Sequence, residues 1–194
     1  MRAEAAELRR REVAAVREGV LKAVEAWEAY RPEAPPGREV FFCPTCTRLE
    51  EVSVRRQGVP RCPAHHADML PYYGYAELFH AKRRELGELL RKRLDGVLEL
   101  FGKAAEAYAS QIRWHFEDGE LVVKPGADST EFRYSPALDR IEAFFSRYRP
   151  EADGILEEGA RRMGVRYYAE ADQGPAPGYA YSRAKMLYVK EVGR

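Results

Sequence analysis

Apolar residues recur at every third or fourth position between residues 3 and 30. Val13, Val16, Val20, Val24 and Trp27 fall on one face of a predicted helix, and Arg9, Arg10, Glu18, Lys22 and Glu25 fall on the other. Basic and acidic residues cancel at six each over 1–30, which describes a solvated face beside a packing stripe. The segment Arg31-Pro-Glu-Ala-Pro-Pro-Gly37 cannot continue the helix. The period then shortens to two, and Glu39–Phe42 and Glu51–Val54 predict short strands joined across Gly58-Val-Pro60 to a further turn. Beyond Pro71 the helical period returns. Phe79, Leu86, Leu90, Leu94, Val97, Phe101, Ala105, Tyr108 and Ile112 predict a helix from Tyr75 to Arg113, on the order of 55 Å long. A helix of that length needs a partner, and the first helix, running antiparallel, supplies one. Gly87, Gly96 and Gly102 along it point to a close approach or a bend.

From Trp114 the pattern changes again. Two alternating segments flank Asp118-Gly119, the strongest hairpin signal in the chain, and Thr130–Tyr134 adds a third strand. Ser135-Pro136 reads as a cap and first-turn proline of a helix that turns Leu138, Ile141, Phe145 and Tyr148 inward. Pro150 opens another short helix, which ends at Met163-Gly164 with Arg161 and Arg162 in its last turn. Residues 165–171 and 186–192 alternate like strands. The expected architecture is α+β: an N-terminal helix and linker (1–38), a cysteine-bearing module (39–70), the long helix (71–113) and a mixed C-terminal region (114–194).

Composition narrows the function classes. The 194 residues carry 32 basic and 31 acidic side chains, a formal net charge of +1. That balance argues against a surface wholly devoted to polyanions. No apolar run approaches the roughly 20 residues that span a bilayer, and the N-terminus has no signal-peptide core, so a cytoplasmic location is expected. Arginine outnumbers lysine 25 to 7, asparagine is absent and glutamine occurs three times. Such usage fits a thermophile, and a GC-rich genome equally.

The chemistry lies in the cysteines. Cys43-Pro-Thr-Cys46 and Cys62-Pro-Ala-His65 form two knuckles separated by fifteen residues. Two such turns can aim four donors at one ion, and the pattern resembles a zinc ribbon or zinc knuckle over about residues 39–68 with His65 in place of the fourth cysteine. The resemblance implies a bound Zn2+; His66 would need a longer turn. Three cysteines would leave a disulfide with an odd partner. Four protein ligands also close the shell, making the zinc structural rather than catalytic.

Other motifs are weaker. Tyr181-Ser-Arg-Ala-Lys185 has the Tyr-x-x-x-Lys spacing of short-chain dehydrogenases but lacks their glycine-rich nucleotide turn. His115 beside Glu117 and Asp118 reads as a solvated turn. Basic residues gather in Lys82–Arg93, in Arg48, Arg55, Arg56 and Arg61 of the cysteine module, and near the C-terminus, where Tyr179, Tyr181, Arg183 and Lys185 interleave rings and cations. Rings beside cations suit nucleic acid. The expected function is therefore a non-enzymatic, zinc-stabilised protein of a nucleic-acid-handling assembly, its acidic hairpin around Glu117–Glu120 facing away from the basic surfaces. A protein–protein adaptor or structural subunit is the alternative, and an enzyme with a site hidden in the C-terminal half is the third reading.

Overall fold

The computed structural model describes residues 2–108 and 111–168. Among them are three helices and two sheets, an α+β arrangement. Helix α1 (Arg2–Ala29) runs antiparallel to α2 (Ala76–Ala105). The pairing follows from the contacts: Val13 lies against Gly102, Arg17 pairs with Asp95, and Glu28 reaches Gly87 and Arg91. Close approach explains Gly87, where an added Cβ would fall 1.7 Å from Glu28 Oε1.

Between the two helices, β1 (Arg38–Phe42), β2 (Leu49–Ser53) and β3 (Leu70–Pro71) form an antiparallel sheet in the order β2-β1-β3, followed by a single 3₁₀ turn at Tyr72–Gly74. Its apolar residues Val40 and Phe42 pack with Tyr72 and with Phe79 of α2.

The C-terminal sheet has the order β4-β5-β6-β7-β8, with strands Arg113–Glu117, Glu120–Lys124, Glu131–Ser135, Arg140–Phe144 and Arg166–Tyr168. The first four form an antiparallel meander, whereas β8 returns parallel to β7 after helix α3 (Pro150–Met163). The Asp118-Gly119 hairpin is present, and both residues have positive φ, 50° and 79°, as a type I′ turn requires. Helix α3 begins at its proline and ends on Gly164 in the left-handed region (φ 68°). One core joins Val16, Val20 and Val24 of α1 and Leu90, Leu94 and Phe101 of α2 to the sheet and α3.

Two expectations are overturned. Residues 136–145 form a turn and strand β7, not a helix: Asp139 adopts φ 46° and its N–H bonds Pro136 O at 3.3 Å, which reverses the chain. Ile141, Ala143 and Phe145 then point into the core on alternate residues, while Leu138 and Tyr148 are exposed. An i,i+4 pair such as Ile141/Phe145 satisfies both periods, so the spacing alone could not separate helix from strand. Helix α2 also stops at Ala105 rather than Arg113. Its last turn tightens as Tyr108 N–H bonds Ala105 O at 2.9 Å, and the Tyr108 ring turns under Phe132. At 30 residues the helix is about 45 Å long.

Candidate metal centre

The two knuckles are local copies of one another. In the first, Cys43 N–H bonds Arg48 O (2.9 Å) and Thr47 N–H bonds Cys43 O (2.8 Å). In the second, Cys62 N–H bonds Ala67 O (2.9 Å) and His66 N–H bonds Cys62 O (2.7 Å). The fifth residue of each is left-handed, Thr47 at φ 62° and His66 at φ 53°. This equivalence aligns Cys46 with His65 and Thr47 with His66, so His65 is the residue turned inward.

Cys43, Cys46 and Cys62 are buried, and one donor atom from each, with one from His65, lies within 4.8 Å of all the others. Cys46 Sγ is 3.8 Å from Cys62 Sγ, and His65 Nδ1 is 3.6 Å from Cys62 Sγ and 4.0 Å from Cys43 Sγ. A tetrahedral ion held at about 2.3 Å from sulfur and about 2.0 Å from nitrogen requires edges of about 3.8 Å between sulfurs and about 3.5 Å from sulfur to nitrogen. The donor set fits a metal ion.

Electrostatics favours the same conclusion. Burial works against the Cys43 thiolate, but the backbone N–H groups of Cys46 and Thr45 outweigh it and hold its pKa below the ordinary thiol range. Burial pushes the Cys46 thiol far upward, and the charges of Cys43 and Cys62 add to the rise. A cation at the cluster would favour the Cys46 thiolate that burial opposes. Burial, then the charge of Arg140 and of His66, depresses the His65 pKa and keeps its imidazole neutral, the form that ligates.

The cluster is seated at a junction. Met69, Phe41, Ala67 and, from the β6–β7 turn, Ala137 pack around the sulfurs. On the other side stands Arg83 of α2, only 4% exposed. Its Nε donates to Thr47 Oγ1 (3.1 Å), its Nη2 to Thr47 O (3.4 Å) and its Nη1 to Trp27 O (2.6 Å). Its guanidinium lies 4.5 Å from the Trp27 ring centre and 4.4 Å from that of Phe79. One side chain thus ties α2 to the end of α1 and to the first knuckle. Counted as one cation of the Lys82–Arg93 cluster, Arg83 is structural. It occupies the apolar stripe 79-83-86-90, and that position was the available signal.

The remaining cations are largely engaged within the fold. Lys82 pairs with Glu85, Arg91 with Glu28 and Arg93 with Asp139. Arg48 meets Asp118 at 3.6 Å, Arg61 meets Asp68 at 3.1 Å, and Arg56 donates to Gly58 O. Arg55 is exposed, with no side-chain partner among the described residues. The Arg48–Asp118 pair overturns the expectation that the acidic hairpin faces away from the basic surfaces: its tip meets Arg48 of the module, with Gly119 against Trp27 of α1. His115 pairs with Glu117 at 3.4 Å, as at a solvated turn. Tyr179, Tyr181, Arg183, Lys185 and the 186–192 segment lie outside the described residues. Among the described residues, no helix is long and apolar enough to cross a membrane. Compared with protein-family models, curated proteins and solved structures, the chain matches none of them.

Proposed function

We propose that this is a non-catalytic protein whose Cys43, Cys46, Cys62 and His65 bind one structural Zn2+ in a ribbon-like module, and that it acts in a nucleic-acid-handling assembly. The observation that carries the metal reading is the convergence of four protein donors within 4.8 Å of one another, with the Cys46–Cys62 and Cys62–His65 edges at 3.8 and 3.6 Å close to those of a tetrahedral ion. Three sulfurs and one imidazole suit zinc above hard cations, and a shell filled by protein leaves no position for substrate or water. When bound, zinc would supply folding free energy to a small module with few apolar residues of its own. Elemental analysis of the purified protein tests this: one zinc per chain is expected, and a metal-free folded protein would refute it.

The nucleic-acid reading is supported by the ribbon-like spacing and by exposed cations in the module, Arg55 among them. Binding of short DNA and RNA by fluorescence anisotropy at about 50 mM and about 200 mM salt tests it, because phosphate contacts weaken steeply over that range. Absence of binding at both salts would refute direct contact. One observation favours the second reading, docking onto a protein: Val54, Val59, Tyr75 and Leu78 are exposed in or beside the module.

A further inference from the structure

We propose that the corner where α1 ends and α2 begins, lined by Tyr30, Arg31, Tyr73, His80 and Arg84, is a stacking surface for single-stranded nucleic acid. The proposal deepens the nucleic-acid reading above and rests on it; it moves the contact surface away from most of the module's arginines, which the fold engages.

Two rings stand out at this corner, Tyr73 at 68% exposure and Tyr30 at 52%. Tyr73 is held from behind. Its ring meets the buried Tyr72 ring edge-on at 5.7 Å, and its hydroxyl accepts the Ala34 N–H at 3.5 Å from the proline linker. Tyr72 is fixed in turn by a hydrogen bond between its hydroxyl and His80 Nε2 (2.8 Å) and by the Phe79 ring at 5.2 Å. An exposed ring backed by a buried one keeps its open face available without the entropy cost of ordering a free side chain. That is the physical requirement of a base-stacking platform.

The cations match. Arg31 and Arg84 are exposed, and neither has an ion-pair partner among the described residues, whereas most arginines of α1 and α3 pair with a carboxylate. Glu28, the acidic residue of the last turn of α1, is held by both guanidinium nitrogens of Arg91 (2.6 and 3.1 Å) and does not neutralise them. After burial, the charges of Arg31, Arg83 and Arg84, all facing His80, depress its pKa. Rings that project singly beside two cations fit unpaired bases and a few phosphates. A duplex hides its base faces and calls for a longer basic track.

The test uses the full-length, metal-loaded protein, a fluorescein-labelled oligothymidine or oligouridine of about 15 nucleotides, and a duplex of equal length. Single strands are expected to bind more tightly than the duplex. Tyr73→Ala should weaken binding about 5- to 150-fold, the effect of losing one stacked base, while Tyr73→Phe retains it. Arg31→Ala with Arg84→Ala should also flatten the dependence of log affinity on log salt by about 1.4. Circular dichroism melts confirm that each variant folds. Equal binding by Tyr73→Ala and the parent, with binding lost in Arg55→Ala, would overturn this surface and leave the nucleic-acid reading standing. No binding of any oligonucleotide by the parent protein would overturn both. Tyr73-dependent self-association without oligonucleotide binding would assign the face to protein and likewise overturn the proposal.

Discussion

Replacing Arg83 tests the link between the metal knuckle and the helical pair. Its two shorter hydrogen bonds, at 3.1 and 2.6 Å, involve a charged donor and are worth about 1.5–3 kcal/mol each; the third, at 3.4 Å, adds little. Two desolvated ring contacts add about 1–2 kcal/mol each. Against this gross gain of about 5–10 kcal/mol stands the cost of burying the charge, visible in a guanidinium pKa lowered to about 10. Methionine at this position keeps most of the packing volume and removes both the charge and its cost, but it leaves Thr47 Oγ1 and Trp27 O without their donor. The expected net loss for Arg83→Met is about 3 kcal/mol, a fall in Tm of about 6–12 °C for a domain of this size. Arg83→Lys retains charge but cannot serve both acceptors, so it should fall between the two.

Differential scanning fluorimetry of the metal-loaded protein gives the shift, and a double-mutant cycle with Thr47→Ala isolates the coupling. Thr47 is β-branched and left-handed, a conformation that needs external support, and Arg83 supplies part of it. A coupling of about 1 kcal/mol or more is expected. Additive effects, or an Arg83→Met protein within about 1 kcal/mol of the parent, would refute the reasoning and make Arg83 a passive filler of space.

Three further outcomes follow from the same contacts. His65→Ala should lose the visible absorption of bound Co2+ while His66→Ala retains it, because only the former turns its ring toward the sulfurs; the reverse result would reassign the fourth ligand. Gly119→Ala should cost about 2–3 kcal/mol in urea unfolding, since the new Cβ takes a positive φ of 79° and sits 2.9 Å from the Trp27 ring. Burial works against the Asp139 carboxylate, but the Arg93 fork and the Tyr134 hydroxyl outweigh it and hold its pKa below the ordinary 3.8. Its contribution is therefore complete above about pH 4 and disappears as pH falls through the lower folded value. The difference in urea midpoint between the parent and Asp139→Asn should shrink between pH 5 and pH 3, at about those values, with metal loss common to both proteins cancelling.

Local signals carried part of this structure and long-range docking carried the rest. The Cys-Pro-x-Cys and Cys-Pro-x-His spacing identified four residues that converge, because the backbone hydrogen bonds that shape each knuckle lie within six residues. The Asp118-Gly119 turn and the Pro150 and Gly164 ends of α3 were equally local, each fixed by the dihedral freedom of one or two residues. Residues 136–145 failed because even spacings serve strand and helix alike, and the decisive feature was the left-handed Asp139, held by Arg93 from 46 positions away. Arg83 was concealed in a basic triplet. Its place on the apolar stripe distinguished it, but what it bonds depends on how the cysteine module folds back. The same holds for the acidic hairpin: nothing in its own residues says that Arg48 and Trp27 will receive it.

Those docked contacts would give a metal bound at the proposed site a reach beyond its own module. The module's separate apolar cluster has Val40, Phe42, Tyr72 and, lent by α2, Phe79 as its buried members, with Ala34, Leu49, Leu70 and Ala76 packed at its edge, a small core for about 30 residues to fold on without an ion. Removing the ion should free the first knuckle, and Thr47 would then relax from its left-handed conformation and withdraw both acceptors from Arg83. A guanidinium left with Trp27 O alone is poorly compensated for its burial, and as it moves outward it uncovers the Trp27 ring on which it lies. Chelation should therefore shift Trp27 emission to longer wavelength, read in a Trp114→Phe background so that the chain's other tryptophan is silent. The α1–α2 core away from this end, built on Val16, Val20, Leu94 and Phe101, should keep its helical circular dichroism. If Trp27 emission stays fixed after the metal is shown to have left, the ion supports its own knuckles alone, and the junction is held by Arg48–Asp118, by Gly119 against Trp27 and by the packing of Ala137.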